Sequence, residues 1–302
     1  MSAFLNIENV VKSYASHVAL NGVTFDVPEH SVFGLLGPNG AGKTSLIRII
    51  NQITAADSGR ILFKGSTLDR SHISGIGYLP EERGLYKKMT VLDQIVYFAR
   101  LKDIPADEAR NRANAWLERF DIQSWRQKKI EELSKGMQQK VQFITTVIHN
   151  PELIILDEPF SGFDPINTEL IKSEILRLRK EGATIIFSTH RMESVEEICD
   201  HIAMINRSQL VLNGSVKEIK NRFSENKVAI EYSGTLQEEP PNLVETSLLP
   251  NGNTQAIVLL MPSQSSMEVV SRIAGKVQIH AFREIVPAMN EIFIQTVNRD
   301  NA

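Results

Sequence analysis

Eight consecutive residues, Gly37-Pro38-Asn39-Gly40-Ala41-Gly42-Lys43-Thr44, fit the spacing G-x-x-x-x-G-K-[ST]. Glycines at these positions let successive backbone N–H groups turn toward one anion without side-chain obstruction. A helix starting at Lys43 would aim the positive end of its dipole at the same point. Lys43 has the reach for β- and γ-phosphates, Thr44 offers a hydroxyl to Mg²⁺, and Ser45 follows in the same turn. Farther along, the apolar run Leu153-Ile154-Ile155-Leu156 ends in two acids, Asp157 and Glu158. Asp157 suits a magnesium shell; Glu158 suits the orientation and deprotonation of an attacking water. A dinucleotide site is excluded, because the loop is not G-x-G-x-x-G and a Lys-Thr pair suits a triphosphate with Mg²⁺.

These groups need strands and helices to hold them. Ser31 to Gly37 reads as a buried strand running into the glycine turn, and Lys43 to Asn51 as a helix with Leu46, Ile47, Ile49 and Ile50 on its apolar face. Phe4–Ile7 and Val23–Val27 alternate as strands do. From Thr90 to Asn150 the periodicity is helical: Thr90 with Asp93 resembles a cap, Pro105 opens a second helix, and Ser134 opens a third. Leu153–Leu156, a helix from Asn167 to Lys180, and Thr184–Phe187 make a β–α–β unit, which implies a parallel sheet covered on both faces. Two more strands are expected at Ile202–Ile205 and Gln209–Leu212. After Lys220 the composition shifts, with Glu238-Glu239-Pro240-Pro241 as a break. Within this region, strands are expected at Val228–Tyr232 and Ala256–Leu260, and helices at Met267–Ala274 and Ala288–Val297.

The chain has 302 residues, enough for about two domains. With 42% hydrophobic and 23% charged residues it can bury a core. The net charge of −3 falls wholly after residue 225, so neither the body nor the tail is a basic nucleic-acid arm. The single cysteine, Cys199, excludes an internal disulfide and fits a reducing compartment. Ala256–Met261 is the longest wholly apolar run, far short of the roughly 20 residues of a membrane helix. The first residues do not read as a secretion signal. A soluble cytosolic protein is expected, with any membrane supplied by a partner. Arg83, Lys87 and Lys88 read as a solvated basic face.

A third motif, Leu133-Ser134-Lys135-Gly136-Met137-Gln138, stands at the start of an expected helix, where Ser134 and the Gly136 backbone form another anion-binding terminus. Alone it would read as a helix cap. In order with the other two, it gives a chain that resembles the ATP-binding cassette (ABC) ATPase family over residues 1–220. The resemblance implies that Leu133–Met137 is the signature motif, with Lys135 where glycine is usual. Ser161-Gly162-Phe163-Asp164-Pro165 is similar to the D-loop, with Phe163 where leucine is usual. His190, after Phe187-Ser188-Thr189, matches the switch histidine at the γ-phosphate, and Tyr14 matches the aromatic residue that stacks on adenine. Glu81 stands where the family usually carries glutamine; a carboxylate there can bind Mg²⁺ or water but adds negative charge near the γ-phosphate.

From the resemblance follow the expected roles: Glu158, His190 and Lys43 catalytic; Tyr14, residues 37–45, Glu81, Ser134, Gly136 and Asp164 at the nucleotide; Thr44, Asp157 and Glu81 at the metal. The implied fold is α/β, a P-loop NTPase core with a parallel sheet and a helical subdomain at about 88–150, together forming a domain of residues 1–225. Residues 226–302 form a small α+β domain. This tail resembles, through Ala281–Phe293 and its element order, the extra domain of bacterial exporter ATPases including the sodium-exporting Nat type. Regulation, dimer support, permease contact and a purely stabilising role are open to it. ATP and Mg²⁺ are the implied cofactors. The implied partners are an integral-membrane permease and a second copy in a head-to-tail ATP sandwich, at the inner face of the cell membrane. A family member acting on ribosomes or DNA would carry two cassettes or a long insertion, and this chain shows one phosphate loop and no such insertion.

Overall fold

Five residues without a polar side chain, Val32–Leu36, form an inner strand of a six-stranded sheet. Thr184–Ser188 and His201–Asn206 flank it, both parallel to it. Leu153–Asp157 and then Ile76–Leu79 extend the sheet in parallel on the Thr184–Ser188 side. Val32–Leu36, Leu153–Asp157 and Thr184–Ser188 are buried along their whole length, as a sheet covered on both faces requires. The sheet is nonetheless mixed. Gln209–Ser215 runs antiparallel to His201–Asn206, because only Arg207 and Ser208 join them, at φ 44° and 68°. That is a tight hairpin turn, and a parallel return needs a long crossover. The computed structural model describes residues 3–82, 84–236, 242–261 and 265–301. Arg83 and Glu238–Pro241 lie outside them.

A second, antiparallel sheet takes in Ala3–Tyr14, His17–Pro28, Ser58–Phe63 and the short Ser66–Thr67. Its Leu5, Ile7, Val23 and Phe25 share one buried cluster with Phe33 and Leu35 of the large sheet and with Leu46 and Ile47 of helix Lys43–Ile50. The glycine loop is thereby held between two sheets and a helix.

The helical block contains Val91–Arg100, Ala106–Arg119 and Lys135–Val147. Thr90 caps the first, its Oγ1 accepting from the Asp93 N–H at 3.2 Å. Trp116, Phe120 and Phe143 meet ring to ring at centroid distances of 5.6–6.4 Å, which ties the second helix to the third. An ion pair centred on one buried carboxylate joins this block to helix Pro165–Lys180. Glu174, 6% exposed, accepts from Arg119 Nε at 2.7 Å and from Arg177 Nε at 2.8 Å. The Arg177 guanidinium also lies 5.3 Å from the Trp116 ring.

A second compact unit spans Lys217–Asn298. Its four strands are all antiparallel, in the order Leu243–Leu248, Thr254–Leu259, Lys227–Ser233, Gln278–Ile285. Helix Ser266–Ile273 and most of helices Val216–Phe223 and Met289–Asn301 belong to it. Val228, Ile230, Val258, Val269 and Ile273 form its buried cluster. The edge strand Gln278–Ile285 is mostly exposed, so it lacks the apolar alternation that marks the inner strands. Among the described residues, no helix is long and apolar enough to cross a membrane.

Candidate functional site

The glycine loop is shaped by backbone crowding. Gly37 has φ +145°, and a Cβ there would fall 2.1 Å from the Ile205 carbonyl oxygen; at Gly42, φ +116°, it would fall 2.2 Å from that of Ala19. Only glycine fits either place. Helix Lys43–Ile50 starts on Gly42, which has no side chain to cap it, so the first-turn N–H donors are left for an anion. Lys43 folds back over the loop, its ammonium donating to Gly37 O at 2.7 Å and Pro38 O at 3.0 Å.

Opposite this loop, the large sheet delivers acids. Asp157 ends a wholly buried strand and is 5% exposed. Burial pushes its carboxyl above the ordinary carboxylate range, and the charges of Glu81 and Glu158 push the same way against the pull of Lys43. The Lys43 ammonium is itself lowered by burial, with Glu158, Asp157 and Glu81 opposing that. Three carboxylates around one lysine leave an excess of negative charge that a divalent cation would relieve. Among the described residues no cluster of three His, Cys, Asp or Glu side chains is arranged as a metal cage. Thr44 and Asp157 line the same cleft, and a hydroxyl with a carboxylate is an oxygen donor set that fits Mg²⁺, which takes one or two protein ligands beside phosphate and water.

Glu158 turns out of the strand at φ 48°, and its N–H donates to Ser188 O at 2.9 Å. Its carboxylate accepts from His190 Nδ1 at 2.8 Å and from Thr189 Oγ1 at 3.3 Å. Glu158 and His190 thus form a bonded pair carried on the ends of two neighbouring strands. Glu81 follows strand Ile76–Leu79. Its neighbours are fixed from the helical block: Gln142 Nε2 donates to Pro80 O at 3.1 Å and Glu82 O at 3.4 Å. Tyr14 is 41% exposed at the tip of the hairpin between Ala3–Tyr14 and His17–Pro28.

One cleft of about 430 Å³ gathers these groups. Residues 39–45 line one side, Glu81, Asp157, Glu158 and His190 the other, and Tyr14 with His17 borders it. Gly37 and Pro38 stand behind the loop and serve through their carbonyls. Ser134, Gly136 and Asp164 are elsewhere, in a second cleft of about 680 Å³. There Ser134 Oγ accepts from the Met137 N–H at 3.3 Å, and Asp164 Oδ1 accepts from the Asn167 N–H at 2.8 Å, each capping a helix. The Asn167 N–H holds the Asp164 carboxyl below the usual range. Sequence reasoning missed His17 and Gln142. His17 is marked only by its pairing with Tyr14 across a turn, and Gln142 is a polar residue on a helix face otherwise read as core.

Residues 20–161 match the ABC transporter family, and residues 214–297 match the ATP-binding protein DrrA1-3-like, C-terminal domain. The ABC transporter ATP-binding protein YhaQ of Bacillus subtilis is 43% identical over 97% of this chain and 98% of its own length. The linearmycin resistance ATP-binding protein LnrL of the same organism is 32% identical, covering 72% of this chain and 71% of its own. A solved ATP-binding subunit of an ABC transporter superposes with a TM-score of 0.68 at 27% identity, over 73% of this chain and 93% of that one.

Proposed function

The chain belongs to the ABC transporter ATP-binding subunits, which are ATPases, and on that footing we propose that it drives an exporter through a separate membrane permease. The observation that carries this reading is the division of the polar groups between two clefts. Lys43, Asp157, Glu158 and His190 converge on one, while Ser134, Gly136 and Asp164 border the other. Each cleft is half of a phosphate site. Two copies placed head to tail would set the Ser134 helix terminus of one against the triphosphate held by the Lys43 loop of its partner.

Within each site the roles follow from chemistry. The loop N–H groups and Lys43 bind the β- and γ-phosphates, and Tyr14 takes the adenine. Thr44 and Asp157, with Glu81 beside them, would hold Mg²⁺, which would supply positive charge against that of the phosphates. Glu158 accepts a proton from the attacking water, and the bonded His190 orients that carboxylate at the γ-phosphate end. ATP binding closes the pair; hydrolysis reopens it.

Residues 1–225 are read as the ATPase domain and 226–302 as an accessory domain of the exporter kind, akin to that of the Nat type. The match of 214–297 to a DrrA1-3-like C-terminal domain and the likeness to a resistance ATP-binding protein support export. The subunit would sit on the inner face of the cell membrane through its permease.

The composite site is tested in a Glu158→Gln background, where slow turnover lets ATP accumulate a dimer readable by size-exclusion chromatography. Adding Ser134→Arg fills the place of the partner's γ-phosphate, so the double variant is expected to bind ATP and stay monomeric. A double variant that dimerises with ATP as readily as Glu158→Gln alone would sink the head-to-tail arrangement.

A further inference from the structure

Asp57 lies between helix Lys43–Ile50 and strand Ser58–Phe63, and its bonds reach the residues just before Tyr14. Its N–H donates to Val11 O at 2.9 Å. Its Oδ2 accepts from the Ser13 N–H at 2.6 Å, and its Oδ1 from the Lys12 ammonium at 2.7 Å. The sheet geometry explains why a carboxylate stands here. Val11 and Ser58 are the last pair of the ladder between Ala3–Tyr14 and Ser58–Phe63. Beyond that pair the Ser13 N–H has no carbonyl of the neighbouring strand to meet, and the Asp57 carboxylate takes its place. On the opposite edge the tip is held by the pairs Ser13–Val18 and Tyr14–His17, around a turn in which Ala15 has φ 50°.

Lys12 carries the clamp to the ring. Its side chain is 13% exposed, and its ammonium sits 5.4 Å from the Tyr14 ring centroid while paired to Asp57. Tyr14 borders the nucleotide cleft and Lys12 does not.

We propose that Asp57 is a positioning residue for base recognition, holding Tyr14 through Ser13 and Lys12 as a preformed stacking platform for the nucleobase. This rests on the reading of Tyr14 as the adenine platform. A ring placed in advance keeps the ordering of a hairpin tip out of the binding step. The clamp acts on the base end of the ligand and leaves the phosphate end untouched.

Calorimetric titration of the full chain in the Glu158→Gln background compares ATP with tripolyphosphate, which carries phosphates and no base. Asp57→Ala is expected to weaken ATP by about 3- to 10-fold, part of a stacking contribution, and to leave tripolyphosphate unchanged. Lys12→Met, which keeps the chain length and loses the cation, should show the same ATP-specific loss. With Tyr14→Ala already present, Asp57→Ala should add nothing. ATP binding that survives Asp57→Ala but fails in Tyr14→Ala overturns the clamp and leaves the stacking reading standing. Equal weakening of ATP and tripolyphosphate overturns it too, since Asp57 would then act on the fold or the phosphate loop. If Tyr14→Ala binds ATP normally, the stacking reading falls and the clamp with it.

Discussion

The cleft at Lys43 and the cleft at Ser134 both lie at helix N-termini, yet they are built on different terms. In the first, side chains from the glycine loop, two strand ends and the segment after Ile76–Leu79 answer one another electrostatically. Lys43 feels Glu158, Asp157 and Glu81, and Glu158 is bonded to His190. In the second, Ser134 and Asp164 spend their oxygens on the nearest backbone N–H groups, three residues along the chain. On the proposed reading the first cleft carries the reacting groups and the second the surface that meets a partner copy. Chemistry should therefore be lost by changes in the first cleft and assembly by changes in the second.

The sharpest break of that comparison is Glu158→Gln. Removing the base while sparing the loop should cost about 10²–10⁴-fold in turnover and leave ATP affinity near the parent value. Phosphate release and nucleotide titration measured side by side check it, and near-parental release would take the role from Glu158.

Lys43→Ala should next weaken nucleotide binding itself. A charge-assisted contact is worth about 1.5–3 kcal/mol, so a rise of roughly 10- to 150-fold in Kd for a fluorescent ATP analogue is expected. Unchanged affinity would confine the lysine to the chemical step.

Glu81→Gln sharpens the contrast more gently. It removes one of the charges that raise Asp157, so ATPase activity should hold or rise by less than about 3-fold. Protons compete for a raised carboxyl at a higher pH than for an ordinary one. The acid limb of the pH–rate profile should accordingly move to lower pH in the variant. A large loss, with a higher Mg²⁺ requirement, would instead place Glu81 among the essential metal ligands.

A separate effect, on stability rather than activity, concerns His149, outside both clefts. Burial, then the charge of Lys102, lowers its pKa to about 4 from 6.5, while its Nε2 donates to Ile76 O at 3.2 Å. The unfolded chain binds the proton first as pH falls, so stability drops between pH 6.5 and about 4. His149→Gln should remove about 1–2 kcal/mol of that drop at pH 5 relative to pH 7.5, read by urea melts at the two pH values. An unchanged slope would assign the acid sensitivity to other groups.

The sheet that carries the acids was legible because burial on both faces leaves a continuous apolar run, as in Leu153–Leu156, ending at Asp157 and Glu158. The glycine loop was legible because crowding against Ile205 and Ala19 permits no other residue type. The Glu158–His190 bond was not, since it joins the ends of separate strands and depends on sheet order. Nor was the hold of Gln142 on residues 80–82, which crosses from a helix to a loop 60 residues away. Strand Gln278–Ile285 stayed hidden because an exposed edge imposes no apolar pattern.

Glu174 between Arg119 and Arg177 has a consequence for how the molecule breathes. Opening helix Ala106–Arg119 alone would leave the Glu174 carboxylate with only Arg177, its neighbour on helix Pro165–Lys180. The two helices should therefore open as one cooperative unit. In native-state amide exchange their slowest protons would share a common protection and respond alike to added denaturant, while Val91–Arg100, outside this ion pair, would keep its own.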